Sequence, residues 1–251
     1  MRGSHLAAFT TSMTAGSTDQ DILGITDGFL TLNASTKYYP PQKCRIVRAA
    51  CLGATLTRAK VVSPILRSVA YPYIRPIEVA AAWSDLPSWS DLMNNPPSLA
   101  PNEEFNVQSS NGAGAAERHY ALLWLMFDRP SVPAGPSFTC RFTSAITGSA
   151  NIWNAGTMTP DLQLPPGRYA CIGMSSWGAN LIAARLVPAD GGPRPGVLSL
   201  QSAGGNDMAF ARFGSMGTLV EFEHTAIPTL EMIATAAGTT QETYLDLVKI
   251  T

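Results

Sequence analysis

Apolar and polar residues alternate over short distances along this chain. Short apolar or alternating runs are bounded by Gly, Pro, Asn, Asp and Ser, a pattern of strands and turns rather than long helices. Phe29–Asn33, Lys43–Gly53, Leu56–Val62, Glu103–Ser110, Glu117–Asp128, Phe138–Ala145, Arg168–Met174, Leu181–Val187, Leu219–Glu223 and Tyr244–Ile250 read this way. With weaker segments, about fifteen strands are expected. Glu103–Ser110 and Glu117–Asp128 flank the small-residue stretch Asn111–Ala116, which predicts a hairpin with a long loop. Cys44–Ala59 also fits helical spacing through Ile46, Val47, Ala50, Cys51 and Ala54. Its counterpart Arg168–Ala184 contains Gly173 and Gly178 and reads as two strands, so strands are preferred in both places.

That counterpart belongs to an internal repeat. Ala50-Cys51-Leu52-Gly53 returns as Ala170-Cys171-Ile172-Gly173. Ala54-x-Leu56-x-x-Ala59-Lys60-x-Val62 returns as Ala179-x-Leu181-x-x-Ala184-Arg185-x-Val187. Pro-Pro precedes each block (Pro40-Pro41, Pro165-Pro166), and Arg-Pro follows (Arg75-Pro76, Arg194-Pro195). Later, Pro101-x-x-Glu104-Phe105 matches Pro228-x-x-Glu231-Met232, and Glu117-x-x-Tyr120-x-Leu122 matches Glu242-x-Tyr244-x-x-Leu247. The same order at an offset near half the chain points to duplication of a β-rich unit of ordinary domain size. The fold class expected is all-β: two tandem jelly-roll-like β-sandwiches related by internal duplication. The expected division is an N-terminal arm over 1–19, a first unit over 20–128, a Pro-rich linker over 129–136 and a second unit over 137–251.

Charge changes the picture more than hydrophobicity does. Charged residues make up 14% of the chain, against about 25% in soluble domains. So little charge suggests a surface covered by other copies or other partners. Net charge is −1, which gives no global field for nucleic acid. Yet Lys37 to Arg75 carries eight cations (Lys37, Lys43, Arg45, Arg48, Arg58, Lys60, Arg67, Arg75) and no acid. The residues after Arg75 carry eight cations and fifteen acids. This stretch reads as a solvated strand face, or as a basic surface meeting an acidic neighbouring subunit, a genome or a membrane headgroup, with the subunit preferred. Trp83-Ser84-Asp85-Leu86 and Trp89-Ser90-Asp91-Leu92 read either as turns clamped to their own unit or as inter-subunit anchors. Trp83, Trp89, Arg45, Arg48, Arg58, Lys60, Arg67 and Arg75 are therefore the candidate inter-subunit contacts.

Candidate chemistry is sparse. The cysteines (Cys44, Cys51, Cys140, Cys171) form no metal-ligand spacing and read as buried thiols. Of the three histidines, His119 and His224 lie near glutamates and are expected on solvated strand faces. Gly173-Met174-Ser175-Ser176-Trp177-Gly178 misses the spacing of a nucleophile elbow and reads as a loop. Asp19, Asp21 and Asp27 lack the ligand spacing of a calcium loop. No catalytic, metal or cofactor site is expected, and no small-molecule substrate.

On the blocks Ala50–Pro64 and Ala170–Pro188 and the matching Pro-x-x-Glu strand ends, the chain resembles the double jelly-roll major capsid proteins of tailless icosahedral viruses. That resemblance implies a homo-oligomer, a trimer forming a pseudo-hexagonal capsomer. It implies a virion location after assembly in the host cytoplasm, and partners among other capsid proteins. The alternative is a tandem lectin-like or carbohydrate-binding sandwich, with Trp83, Trp89, Trp153 and Trp177 lining a groove. A cupin-like double barrel would need clustered His and carboxylate ligands, which three scattered histidines do not supply.

Overall fold

A computed structural model describes residues 3–250 except 35, 68–71, 85–86, 147, 201–213 and 238. Among the described residues the chain is almost entirely strand. In order it forms β1 (Gly3–Met13), β2 (Gln20–Asp21), β3 (Thr31–Asn33), β4 (Lys37–Tyr39), β5 (Cys44–Leu52), β6 (Leu56–Val62), α1 (Pro64–Arg67), β7 (Ser90–Asp91), β8 (Ser98–Leu99), β9 (Asn106–Asn111) and β10 (Glu117–Asp128). There follow β11 (Ser137–Ile146), β12 (Asn154–Gly156), β13 (Thr159–Pro160), β14 (Arg168–Gly178), β15 (Leu181–Val187), β16 (Gly196–Leu200), β17 (Val220–Glu223), β18 (Thr229–Ala234) and β19 (Thr239–Lys249). The chain divides into two compact units, Leu6–Phe127 and Asp128–Thr251, the second also taking Met1–His5.

The two units share one strand order. In the first, one sheet runs β1-β10-β5-β7 and the other β2-β9-β6. Beside β6 lies the segment around Tyr73, through Val61 N–H to Pro72 O and Ile74 N–H to Ala59 O. In the second unit β11-β19-β14 carries β17 on the far side of β14, and β12-β18-β15 continues to β16. Each unit is thus two four-membered layers, and among these members the chain passes from one layer to the other at each step except from β6 to the Tyr73 segment and from β15 to β16, the jelly-roll arrangement. The repeated blocks form the same piece in both: β5 and β14 enter one layer, and β6 and β15 the other. β14 outruns β5 by a segment over 174–178, which pairs in parallel with β16 (Ser176 with Ser199, Trp177 with Leu200). This insertion explains why the repeat offset grows from 120 at Ala50/Ala170 to 125 at Leu56/Leu181.

Burial patterns follow each strand's place. β10 lies between β1 and β5, and its run from His119 to Met126 is buried on both faces. β17 sits at an edge and alternates buried and exposed. In the first core Tyr38 is fully buried among Phe9 and Phe105, and its hydroxyl donates to Ala8 O at 2.9 Å.

Four expectations change. The arm expected over 1–19 contains β1, buried at all but one of its eleven positions. The hairpin expected from Glu103–Ser110 and Glu117–Asp128 does not form, since β9 pairs with β2 and β6 while β10 pairs with β1 and β5. The connecting turn carries the chain from one layer to the other. Asn111 secures it by donating to Thr14 O and Ala115 O. Residues 173–178, expected as a loop, continue β14. Finally, the Pro-x-x-Glu match does not follow sheet register. Lys60 pairs with Gln108 and its counterpart Arg185 pairs with Glu231, so Glu231 stands where Gln108 does, not Glu104.

Candidate functional site

Strand pairing decides which cations of the Lys37–Arg75 stretch remain available. Lys37 Nζ lies 2.8 Å from Glu104, and Arg48 2.8 Å from Asp91. Asp19 takes both Lys60 (2.8 Å) and Arg58 (3.1 Å). The Lys60 hydrogen bond holds the Asp19 carboxyl below its ordinary range, and the bond from Lys37 does the same for Glu104. The acids come from outside the stretch, so a linear count could not pair them. Half of the eight cations are therefore neutralised within their own unit. Lys43, Arg45 and Arg75 are exposed, and among the described residues none has a carboxylate partner. Arg67 lies in α1, but its side chain falls outside the described residues.

The tryptophans are covered to different degrees within their own units. Trp83 is 2% exposed and offers no surface to a second subunit. Trp89 is half-buried, with the Arg48 guanidinium 4.9 Å from its ring centre. Trp153 is covered in the same way by Arg185, at 3.9 Å. Of the four rings named for a sugar groove, Trp83 is buried, Trp89 and Trp153 each carry an arginine over one face, and Trp177 is partly buried in β14.

Matching rows cross the outer faces of the two units. In the first unit the row is Tyr73, Lys60, Gln108, Asp21. In the second it is Gly196, Arg185, Glu231, Ala155. In the first row Tyr73 is 53% exposed, whereas Lys60, Gln108 and Asp21 are partly buried and the Lys60 ammonium is paired with Asp19. The second is closed. Arg185 is fully buried and bonds Glu231 through Nε at 2.7 Å, while Arg194 reaches the same carboxylate at 2.7 and 2.9 Å. Arg194 N–H also donates to His5 Nδ1.

His119 is the main departure among the titratable groups. It was expected on a solvated face, but it is fully buried, with Nδ1 2.9 Å from Ser109 Oγ. Its place in a continuous apolar run was the signal that it points inward. A Ser–His contact suggests nucleophilic chemistry, but both groups are fully buried. The adjacent Glu117 carboxylate is spent on the Ala54 and Thr55 backbone N–H groups and the Thr55 hydroxyl. This pair therefore builds the sheet. Burial pushes the His119 imidazole below its ordinary value, against a smaller opposing pull from Glu117. The folded state thus binds this proton less readily than the unfolded chain. The contribution to stability is complete above about pH 6.5, the unfolded value, and is lost as pH falls below it. Chemical denaturation at pH 7.5 and pH 5 should show wild type losing more stability than His119→Gln; equal losses would refute this.

The remaining candidates take structural roles. Burial pushes the Cys44, Cys51 and Cys171 thiols up to about 12, so they stay protonated. His224 accepts from Gly167 N–H at 3.2 Å. Asp27 caps the turn at Phe29 and Leu30. Among the described residues no three His, Cys, Asp or Glu side chains converge as metal ligands. Open grooves among the described residues include two of interest. One, of ≈ 420 Å³ in the first unit, is lined by Asp21, Lys37, Ser63, Glu104, Asn106 and Gln108 among others. The other, of ≈ 560 Å³ in the second unit, follows the free edge of β17.

No protein-family model and no curated protein matches the sequence. Among solved structures, the chain is similar to the major capsid protein P2 from bacteriophage PM2. That match has 8% identity over 97% of this chain and 98% of that one, at a TM-score of 0.24, which is too slight a likeness to carry an argument.

Proposed function

We propose that this chain is a structural subunit of a viral or phage capsid, self-assembling into trimeric capsomers that tile an icosahedral shell. The observation that carries this reading is the repetition of one jelly-roll strand order in both units of a chain only 14% charged. Two linked units of one kind let a three-fold assembly present six similar edges, so that one protein fills a nearly hexagonal lattice. The link also raises the concentration of each unit about the other. The divergence between the copies fits this use: the row of the first unit ends in the exposed Tyr73, whereas that of the second centres on the fully buried Arg185 and its Glu231 partner. In this reading the partners are other copies and other capsid proteins. Exposed Lys43, Arg45 and Arg75 are the cations left to meet a neighbour, genome or membrane, and the working location is the virion.

Size-exclusion chromatography with light scattering, followed by electron microscopy, tests the proposal. Trimers or shells are expected. A monodisperse monomer at all concentrations would overturn it.

A further inference from the structure

Two sheet edges, one in each unit, pair with no further strand among the described residues and are opposite in charge. In the second unit β17 pairs only with β14 among the described strands. His224 N–H bonds Gly167 O, which sets the phase of that ladder: Val220 and Phe222 spend their backbone groups on β14. Glu221 and Glu223 therefore direct theirs outward, and among the described residues only Glu223 O is taken, by Ala226 N–H. The facing wall of the ≈ 560 Å³ groove includes Pro130, Pro188 and Pro193, and proline has no N–H to donate to this edge. The rim carries Glu221, Glu223 and Asp190 against one cation, Arg168, which is paired with Glu221 at 2.6 Å. Glu221 and Glu223 are exposed.

In the first unit the edge is the segment beside β6. Pro72 O and Ile74 N–H face β6, so the N–H and C=O of Tyr73 and the N–H of Arg75 face away. Both side chains are exposed, and among the described residues Arg75 makes only a long 3.4 Å contact to Thr57 O. Pro72 and Pro76 bound the segment, leaving an extended stretch of about 10 Å. An edge strand with free amides invites another strand unless something blocks it.

We propose that the β17 groove receives the Tyr73–Arg75 edge of a second copy of this chain, adding it as a strand with Arg75 beside the Glu221 and Glu223 carboxylates. Charge complementarity and the matching supply of outward backbone groups select this occupant. The contact is heterologous, so it generates rings or chains of copies rather than isologous pairs. It rests on the self-assembly reading above and names a surface for it.

Sedimentation velocity on the full chain tests it, using wild type, Arg75→Glu, Glu221→Arg/Glu223→Arg and the combination of all three. Like charges at an interface oppose association. Arg75→Glu and the Glu221→Arg/Glu223→Arg variant should each weaken assembly by about tenfold or more, and the combination should recover it. High salt should weaken the wild-type assembly. Hydrogen exchange gives a second readout that needs no substitution: the amides of Glu221, Glu223 and Tyr73 should slow on assembly. Wild type that assembles with all variants unaffected and these amides unprotected would overturn this contact and leave the capsid reading standing. Wild type that never associates would overturn both.

Discussion

Glu231→Ala is expected to cost the second unit about 3–5 kcal/mol, the usual result of removing one partner from a buried ion pair. Arg185 has no exposed surface, and its guanidinium is fixed between the Glu231 carboxylate and the Trp153 ring. Without the carboxylate it would remain charged, because arginine does not deprotonate in proteins. Arg194, which shares that carboxylate, can turn toward water more easily, since 13% of its side chain is exposed. The double replacement Arg185→Met with Glu231→Leu should cost far less and come out near neutral, since it removes both charges and keeps the volume. Urea denaturation of the three proteins measures the contrast. A Glu231→Ala chain within about 1 kcal/mol of wild type would show that water reaches Arg185, contrary to its burial.

Gly53→Ala should cost the first unit about 1–3 kcal/mol, as overpacking does. A Cβ at Gly53 would stand 2.4 Å from His119 Cδ2 and 3.0 Å from Nε2. Neither side can easily give way. Gly53 N–H is bonded to Glu78 O and its carbonyl accepts from Leu56 N–H, both at 3.1 Å. His119 is fully buried and tied to Ser109. The cause is space rather than backbone conformation, so shortening His119 should relieve it. In a double-mutant cycle, Gly53→Ala should be nearly silent in a His119→Ala background. Additive costs in thermal denaturation would place the strain elsewhere.

Much of the fold was legible because strand periodicity is a local property. The blocks at Ala50 and Ala170 also led to equivalent strand pairs. What stayed hidden was set by distant partners. β1 shows little alternation because both of its faces are covered, so a buried strand looks like an arm. The basic stretch looked like a face because Asp19, Asp91 and Glu104 reach it only through the sheets. Trp83 looked like an anchor because sequence shows a ring but not what buries it. The row at Tyr73, Lys60, Gln108 and Asp21 unites four segments that no linear window contains.

The assignment of Met1–His5 to the unit formed by Asp128–Thr251 bears on the order of synthesis. Leu6–Phe127 is available as a complete unit before Asp128–Thr251 is made, while Gly3–His5 must remain unpaired with its own unit until residues beyond Arg194 have emerged. A substitution at Gly3–His5 therefore acts on the maturation of the later unit, although the whole of Leu6–Phe127 lies between them in the chain.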